Sequence, residues 1–178
     1  RLRLLVLGGS QGAHALNEIL PGALSQVTHE PLPEIVHQCG TGQADEVYRA
    51  YCNHGIQATV LDFIEDMGAA YGSADLVIAR SGAMTVTELC TAGLPSILLP
   101  FPYAASNHQV TNANVLLRAG GAMVIQALEL DPSRLAREID SLTEDRLTLA
   151  KMGQAARSLA RPDATAEVVS HCLEVAHA

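Results

Sequence analysis

The chain has 178 residues, of which 48% are hydrophobic and 17% charged, so it can bury the core of one ordinary domain and is not disordered. Eleven Lys and Arg against nineteen Asp and Glu give a formal net charge of −8, which argues against nucleic acid or an anionic membrane as a partner, because both need a basic surface. The chain opens on a strand-like run without Met and has no apolar run of about 20 residues. We therefore expect no signal peptide, no membrane span and an excised C-terminal portion of a longer protein.

Strand and helix patterns alternate along the chain. Continuous apolar runs predict strands buried on both faces, and the stretches between them predict helices. The first half carries, in chain order, a strand at 3–7, a helix at 12–25 with an uncertain end at Pro21-Gly22, a strand at 34–38, a helix ending near 53, a strand at 58–61 and a short helix ending near 73. The second half carries a strand at 75–79, a helix at 83–91, a strand at 95–100, a helix at 106–119, a strand at 121–125 and two or three helices from 131 onwards.

This alternation predicts βαβ units with right-handed crossovers. Because there is no internal repeat or linker, residues 1–178 are expected to form a single α/β domain around a doubly wound, Rossmann-like parallel sheet of about six strands. Ligands of such sheets bind outside the carboxyl ends of the strands, so the loops that follow the strands are the candidate site.

The first of these loops is rich in glycine. Its backbone and the following helix start could hold anionic oxygens, or it could simply be a tight turn. The spacing is G-G-x-x-G rather than G-x-G-x-x-G, and the second strand ends without an acidic residue for a ribose, which disfavours NAD. The loop reads Gly8-Gly9-Ser10-Gln11-Gly12-Ala13.

The second loop precedes the helix at 83–91 and offers backbone N–H groups and hydroxyls between Ser81 and Thr85, an arrangement suited to an anion. Glu88 lies one turn into that helix and could accept hydrogen bonds from two vicinal hydroxyls of a ribose or a sugar. The alternative is that Glu88 only favours the positive helix end or takes part in capping with Ser81 or Thr85.

Two further loops carry candidate binding groups. His108, Gln109 and Asn112 crowd a helix start and could bind a polyhydroxylated ligand, although Ser106 or Asn107 could be an ordinary helix cap. In the other loop Phe63 and Ile64 could flank a planar base, with core packing as the alternative. We assign no catalytic residue.

The four cysteines form no C-x-x-C pair, so we expect reduced thiols rather than a disulfide framework. His37-Gln38-Cys39 is the nearest approach to a metal-binding pair, but no second pair follows at ligand spacing. Buried side chains explain it better than zinc, and we expect no metal and no cofactor.

Five of these segments, in this order, resemble the C-terminal domain of the MurG-type family, whose members are UDP-N-acetylglucosamine–N-acetylmuramyl-(pentapeptide) pyrophosphoryl-undecaprenol N-acetylglucosaminyltransferases with the two-domain GT-B fold. The resemblance covers nearly the whole chain. It rests on the glycine-rich loop at 8–13, His37-Gln38-Cys39-Gly40, Phe63-Ile64-Glu65-Asp66-Met67, the segment from Arg80 to Glu88, and Asn107-His108-Gln109-Val110-Thr111-Asn112-Ala113.

The resemblance implies that this domain holds UDP-N-acetylglucosamine, while an N-terminal domain, absent here, binds the lipid-linked muramyl-pentapeptide acceptor. It implies inverting sugar transfer in peptidoglycan synthesis, at the cytoplasmic face of the inner membrane and beside other cell-wall enzymes, without a metal on the diphosphate. Matching positions imply that Ile64 binds the uracil and Glu88 binds the ribose. They imply that Ser10 and the start of the helix at 83–91 bind the diphosphate, and that His108 and Gln109 bind the sugar. The helix-start positions are Ala83, Met84 and Thr85, and Val86 and Thr87 after them are further expected substrate-binding positions.

Two positions depart from the family pattern or have an open role. His14 stands where the family often has a basic residue, and Arg80 fits either a phosphate contact or a salt bridge within the fold.

Other functions are a UDP-sugar 2-epimerase, for which Glu65 and Glu88 are the available carboxylates, and a non-catalytic nucleotide-sugar binding module. A nicotinamide oxidoreductase ranks last.

Overall fold

A computed structural model of the chain describes residues 1–9, 14–101 and 107–176. Within these ranges, six strands alternate with helices in one α/β unit. The strands are β1 (Arg3–Leu7), β2 (Glu34–Gln38), β3 (Thr59–Leu61), β4 (Leu76–Ala79), β5 (Ser96–Leu98) and β6 (Ala122–Val124). The helices are α1 (His14–Leu24), α2 (Ala44–Asn53), α3 (Met67–Ser73), α4 (Ala83–Ala92), α5 (His108–Ala119), α6 (Pro132–Glu144), α7 (Arg146–Arg157) and α8 (Ala164–Ala176).

All strand pairs are parallel, and the order across the sheet is β3-β2-β1-β4-β5-β6. The chain winds outwards from β1 through β2 to β3 and then returns to place β4 on the other side of β1. Val6 of β1 lies between His37 of β2 and Ile78 of β4 in the register. This reversal opens a crevice at the carboxyl ends of β1 and β4, and it confirms the predicted doubly wound, Rossmann-like sheet.

Both faces of the sheet are covered, which explains why the strands are apolar at consecutive positions. On β1, Leu4 and Val6 pack beneath α1, α2 and α6, whereas Leu5 and Leu7 pack beneath α3, α4 and α5. Alternate residues of a strand point to opposite faces, so a strand covered on both faces needs an unbroken apolar run.

The elements end close to their predicted positions. Strand β5 is shorter than the predicted 95–100, because its ladder to β4 and β6 spans only Ser96–Leu98 and Pro100 has no N–H to continue it. Helix α1 continues through Pro21 to Leu24. The buried side chains of Leu20 and Leu24, worth about 1.5–3 kcal/mol each, offset the interruption by the proline.

Three helices follow the last strand. Asp131 caps α6 by accepting a hydrogen bond from the Arg134 N–H at 2.9 Å, with Pro132 at the first helical position, as the sequence predicts. Helix α8 differs from the others because every one of its described residues is exposed, so it adds nothing to the core. Among the described residues, no helix is both long enough and apolar enough to span a bilayer.

Candidate functional site

A cavity of about 950 Å³ lies where β1 and β4 diverge, at the carboxyl edge of the sheet. Its volume is within the range of about 300–1,000 Å³ that is usual for small-molecule sites. All four loops singled out from the sequence, together with the helices that follow them, each supply at least two lining residues, with Phe101 and Gln109 coming from the segment after β5. The others include Gly8 and Gly9 after β1, Phe63 and Ile64 after β3, and Gly82, Thr85 and Glu88 after β4.

The start of α4 borders this cavity with unsatisfied backbone donors. Gly82 is the N-cap in an extended conformation, and no side chain caps the helix. Within the part of the chain that the structure describes, the N–H groups of Ala83, Met84 and Thr85 have no hydrogen-bond partner. Uncapped N–H groups and the helix dipole together place positive partial charge here, so this end of α4 can bind an anion.

Capping by Ser81, the alternative considered for this loop, does not occur. The Ser81 hydroxyl instead donates to the carbonyl oxygen of Gln109 at 2.8 Å, which ties this loop to the start of α5. The Asn112 amide also donates to the Ser81 carbonyl at 3.1 Å. The hydroxyl predicted as a ligand contact therefore helps to hold two cavity-forming segments together.

Glu88 faces the cavity and has one described partner. The Tyr71 hydroxyl donates to Glu88 Oε2 at 2.8 Å, and Tyr71 itself is buried. Burial raises the pKa of the Tyr71 hydroxyl, so it stays protonated and acts as the donor. Because the partner of Glu88 is Tyr71 rather than Ser81 or Thr85, the capping alternative for Glu88 does not hold.

Gln109 lies at the start of α5 with its amide orientation fixed. Its Oε1 accepts a hydrogen bond from the Phe101 N–H at 2.9 Å, which leaves the Nε2 group as a donor for a ligand. His108 is the first residue of α5 and is exposed, but it is not in the cavity lining. Asn107 precedes α5 in the left-handed region at φ 54° and does not cap it by a side-chain hydrogen bond.

The remaining predicted contacts are less directly placed. The Val86 side chain is buried in the core and its N–H donates to the Gly82 carbonyl at 3.0 Å. The Thr87 hydroxyl is exposed and donates to the Ala83 carbonyl at 2.9 Å. Neither lines the cavity, so their role as ligand contacts stays a prediction. Ser10 lies outside the described residues.

Ile64 presents backbone rather than side chain to a ligand. Its side chain is buried in the core, as the packing alternative predicts. Its backbone N–H and C=O, however, have no partner within the described ranges. Phe63 beside it is 63% exposed and lines the cavity. A free donor and acceptor on one residue can pair with the edge of a planar base.

Arg80 also lines the cavity, and it has no ion-pair partner among the described residues. One guanidinium nitrogen, Nη1, donates to the Leu99 carbonyl at 3.0 Å, and the group lies 5.4 Å from the centroid of the Phe101 ring. Burial lowers the pKa of Arg80. The described residues therefore provide no internal salt bridge for Arg80, and those that contact the cation at the cavity are neutral. His14 lines the same cavity.

Gln38 is a structural element of the site that the sequence did not reveal. Its Oε1 accepts from the Gly9 N–H at 2.9 Å, and its Nε2 donates to the Gly9 carbonyl at 3.0 Å and to the Asp62 carbonyl at 2.9 Å. One buried amide thus fixes Gly9 against the residue that follows β3. Gly9 sits at φ 77°, which favours glycine.

The neighbouring His37 and Cys39 are both fully buried, which supports the prediction that they are core side chains. No group of three or more His, Cys, Asp or Glu residues suited to a metal ion occurs in the described ranges. All four cysteines are unpaired thiols: Cys39 and Cys90 are buried, and Cys52 and Cys172 are exposed.

Relatives of this chain share its fold and much of its sequence. A family model described as the glycosyltransferase family 28 C-terminal domain matches residues 3–168. Two curated relatives carry the name UDP-N-acetylglucosamine--N-acetylmuramyl-(pentapeptide) pyrophosphoryl-undecaprenol N-acetylglucosamine transferase. The one from Marinobacter nauticus is 47% identical over 99% of this chain and 49% of its own length, and the one from Stutzerimonas stutzeri is 49% identical over 99% and 50%. The chain thus spans about half the length of the curated relatives it matches.

Solved structures agree with the sequence relatives. MurG from Acinetobacter baumannii superposes with a TM-score of 0.91 at 40% identity, covering 97% of this chain and 50% of that one. The C-terminal CMP-Kdo binding domain of WaaA from the same organism, at 9% identity and a TM-score of 0.64, shares the fold alone over 88% of both chains. The resemblance to the MurG-type family is confirmed, and the chain belongs to glycosyltransferase family 28, whose C-terminal domain it matches.

Proposed function

We propose that residues 1–178 are the donor-binding domain of an inverting N-acetylglucosaminyltransferase and that their cavity binds UDP-N-acetylglucosamine. The observation that carries the proposal is that one cavity gathers the uncapped start of α4, the carboxylate of Glu88 and the unpaired backbone groups of Ile64. The helix start can bind the diphosphate, the carboxylate can accept hydrogen bonds from the ribose hydroxyls, and the backbone groups can pair with the edge of the base. A nucleoside diphosphate needs all three.

The donor would lie across the carboxyl ends of the strands. Ile64 would pair with the uracil edge through its N–H and C=O, and Glu88 would accept from the ribose hydroxyls. The diphosphate would rest on the start of α4 and on the glycine-rich loop that contains Ser10, and Gln109 with His108 would contact the sugar. The α4 positions assigned to the diphosphate are Ala83, Met84 and Thr85, whose N–H groups have no partner among the described residues. Val86 and Thr87 stay predicted substrate-binding positions without an assigned part of the donor.

The reaction is displacement at the anomeric carbon of the sugar. The bond from that carbon to the diphosphate oxygen breaks, an acceptor hydroxyl forms the new bond from the opposite face, and UDP leaves. Negative charge grows on the diphosphate as the bond breaks, and the uncapped N–H groups of α4 stabilise it without rearrangement. None of the residues named here is a base for the acceptor hydroxyl, so we assign that group to the rest of the protein.

The whole protein would transfer N-acetylglucosamine to undecaprenyl-pyrophosphoryl-N-acetylmuramyl-pentapeptide in peptidoglycan synthesis. Two relatives with this activity in their names, each about twice as long as this chain, support an additional acceptor-binding domain. The match to a family model described as a C-terminal domain supports its place on the N-terminal side. We place the whole protein at the cytoplasmic face of the inner membrane, with other cell-wall enzymes as further partners. The domain alone would bind donor without transferring it.

The 2-epimerase alternative is less well supported. Acid–base chemistry on a sugar carbon needs a pair of titratable groups in the cavity. Of the two carboxylates considered, Glu88 lines the cavity, whereas Glu65 is exposed and is not part of the lining. The described lining thus presents one carboxylate, and Tyr71 already engages it.

Calorimetric titration of the chain with UDP-N-acetylglucosamine tests the proposal, with UDP-glucose and NADH as comparators. We expect selective binding of the first, weakened by Glu88→Ala and Gln109→Ala. The matched controls are Glu65→Ala and Gln57→Ala, which remove exposed side chains outside the cavity lining and should leave affinity unchanged. Equal binding of NADH, or equal effects of the cavity and control variants, would contradict the proposal.

Activity assays separate the domain from the whole protein. Transfer of labelled N-acetylglucosamine to a lipid-linked muramyl-pentapeptide should require the full-length protein. Robust transfer by residues 1–178 alone would overturn the division of labour proposed here. A full-length protein that interconverts UDP-sugars without transferring them would favour the epimerase.

A further inference from the structure

Tyr71 combines a core-packed ring with a hydroxyl that reaches the cavity wall. Its ring is 7% exposed and packs in the apolar cluster between the sheet and helices α3, α4 and α5. Its hydroxyl bonds to Glu88 Oε2 at 2.8 Å, across 17 positions of sequence. A phenylalanine would fill the same space without a polar group to satisfy, so packing alone does not account for the hydroxyl.

The bond restricts Glu88 and leaves it able to bind. An ionised carboxylate offers about four lone-pair positions, and Tyr71 uses one of them on Oε2. A glutamate side chain loses considerable rotamer freedom when a ligand fixes it. Because Tyr71 fixes it beforehand, less of that cost falls on binding, which is the usual advantage of a preorganised site.

We propose that Tyr71 is a positioning residue: its hydroxyl orients Glu88 toward two vicinal ribose hydroxyls, and discrimination against a 2′-deoxyribose depends on it. The inference rests on the donor site described under the proposed function. A ribose fills both acceptor positions that the fixed carboxylate presents, whereas a 2′-deoxyribose leaves one of them without a donor. A carboxylate free to rotate would adapt to either sugar and discriminate less.

The test compares UDP with 2′-deoxyuridine diphosphate by calorimetric titration into the unmodified chain and into Tyr71→Phe. We expect Tyr71→Phe to weaken UDP binding about fivefold and 2′-deoxyuridine diphosphate binding by less than about twofold, so that the preference shrinks. Tyr51→Phe is the matched control, because it removes another buried hydroxyl, 3.0 Å from His37 Nδ1 and outside the cavity lining. Tyr51→Phe should prefer UDP over 2′-deoxyuridine diphosphate as strongly as the unmodified chain does.

Each other outcome overturns a defined part of the reasoning. Equal weakening of both nucleotides, or no change in either, would make the Tyr71 hydroxyl merely structural. An unmodified chain that binds neither UDP nor UDP-N-acetylglucosamine would overturn the proposed function and this inference with it. An unmodified chain that binds UDP, combined with an intact preference in Tyr71→Phe, would overturn this inference alone.

Two further measurements guard against a variant that folds poorly. In a Glu88→Gln background the added Tyr71→Phe change should alter UDP affinity by less than about twofold, because the two residues act as one unit; independent effects would contradict this. In the chain labelled with 3-fluorotyrosine, the fluorine signal of Tyr71 is assigned by elimination with phenylalanine variants of the other three of the four tyrosines. It should shift more with UDP than with the 2′-deoxy compound, and equal shifts would overturn the proposal.

Discussion

Mild acid should destabilise this domain through His37, which is fully buried on β2. Its Nε2 lies 3.1 Å from Asn17 Oδ1, and its Nδ1 lies 3.0 Å from the Tyr51 hydroxyl. The Asn17 oxygen can only accept, so Nε2 carries the proton and Nδ1 accepts from Tyr51. A second proton on Nδ1 would reverse the Tyr51 bond, so that the hydroxyl oxygen accepts, and would place a charge in the core. Burial accordingly lowers the pKa of His37 to about 4.

The size of the effect follows from the two protonation equilibria. His37 titrates near 6.5 in the unfolded chain and near 4 in the folded one. Between these values the unfolded chain binds more protons, so the free energy of unfolding falls as the pH drops below about 6.5 and stops falling below about 4. At about 1.4 kcal/mol per pH unit, the loss between about pH 7.5 and about pH 5 is about 2 kcal/mol.

Urea unfolding followed by circular dichroism measures this loss. The unmodified chain should lose about 2 kcal/mol more than His37→Gln between those two pH values, because the variant lacks the buried imidazole. The other histidines are present in both proteins, and most carboxylates are still ionised at about pH 5. Equal losses in the two proteins would refute the reasoning.

Two more perturbations test features of the fold that support the site. A Cβ on Gly153 of α7 would lie 2.7 Å from the Gly93 carbonyl oxygen, whereas Gly72 of α3 has open space around it. In urea unfolding, Gly153→Ala should lower the free energy of unfolding by about 1–3 kcal/mol, whereas Gly72→Ala should raise it by about 0.5–1 kcal/mol. A Gly153→Ala variant that is more stable than the unmodified chain would contradict the close contact. Gln38→Met removes all three loop contacts at similar size; it should cost about 2 kcal/mol and weaken UDP-N-acetylglucosamine binding about tenfold in calorimetry. A folded Gln38→Met variant with full affinity would contradict its assigned role.

The fold could be predicted from the sequence because its signals are local. A strand buried on both faces reads as an apolar run wherever it occurs, and each of the six runs is a strand in the structure. The start of α6 was equally visible, since Asp131 followed by Pro132 is sufficient to begin a helix. Proline was a weaker signal at Pro21, where burial of neighbouring side chains continues the helix.

The site was predictable to the level of loops but not of contacts. The places of Glu88 and Ile64 at the cavity could be predicted, because a carboxylate or an apolar pair after a strand is visible in the sequence. Those of Tyr71 and Gln38 could not, since their bonds join residues 17 and 24–29 positions apart and depend on how α3, α4 and the loops cross. Ser81 was assigned to the right place, but the packing of α5 uses its hydroxyl for Gln109.

The contact between α4 and α7 sets the position of the start of α4 at the cavity. Helix α4 begins at the cavity after Gly82 and ends at Ala92, and Gly93 after it packs closely against Gly153 of α7. Ten residues make a lever about 15 Å long, so a tilt of about 5° at the Gly93 pivot would move the start of the helix by about 1 Å. Hydrogen-bond lengths vary by only about 0.5 Å, so repacking α7 would change the affinity for the diphosphate that we propose binds here, without altering any residue assigned to contact it.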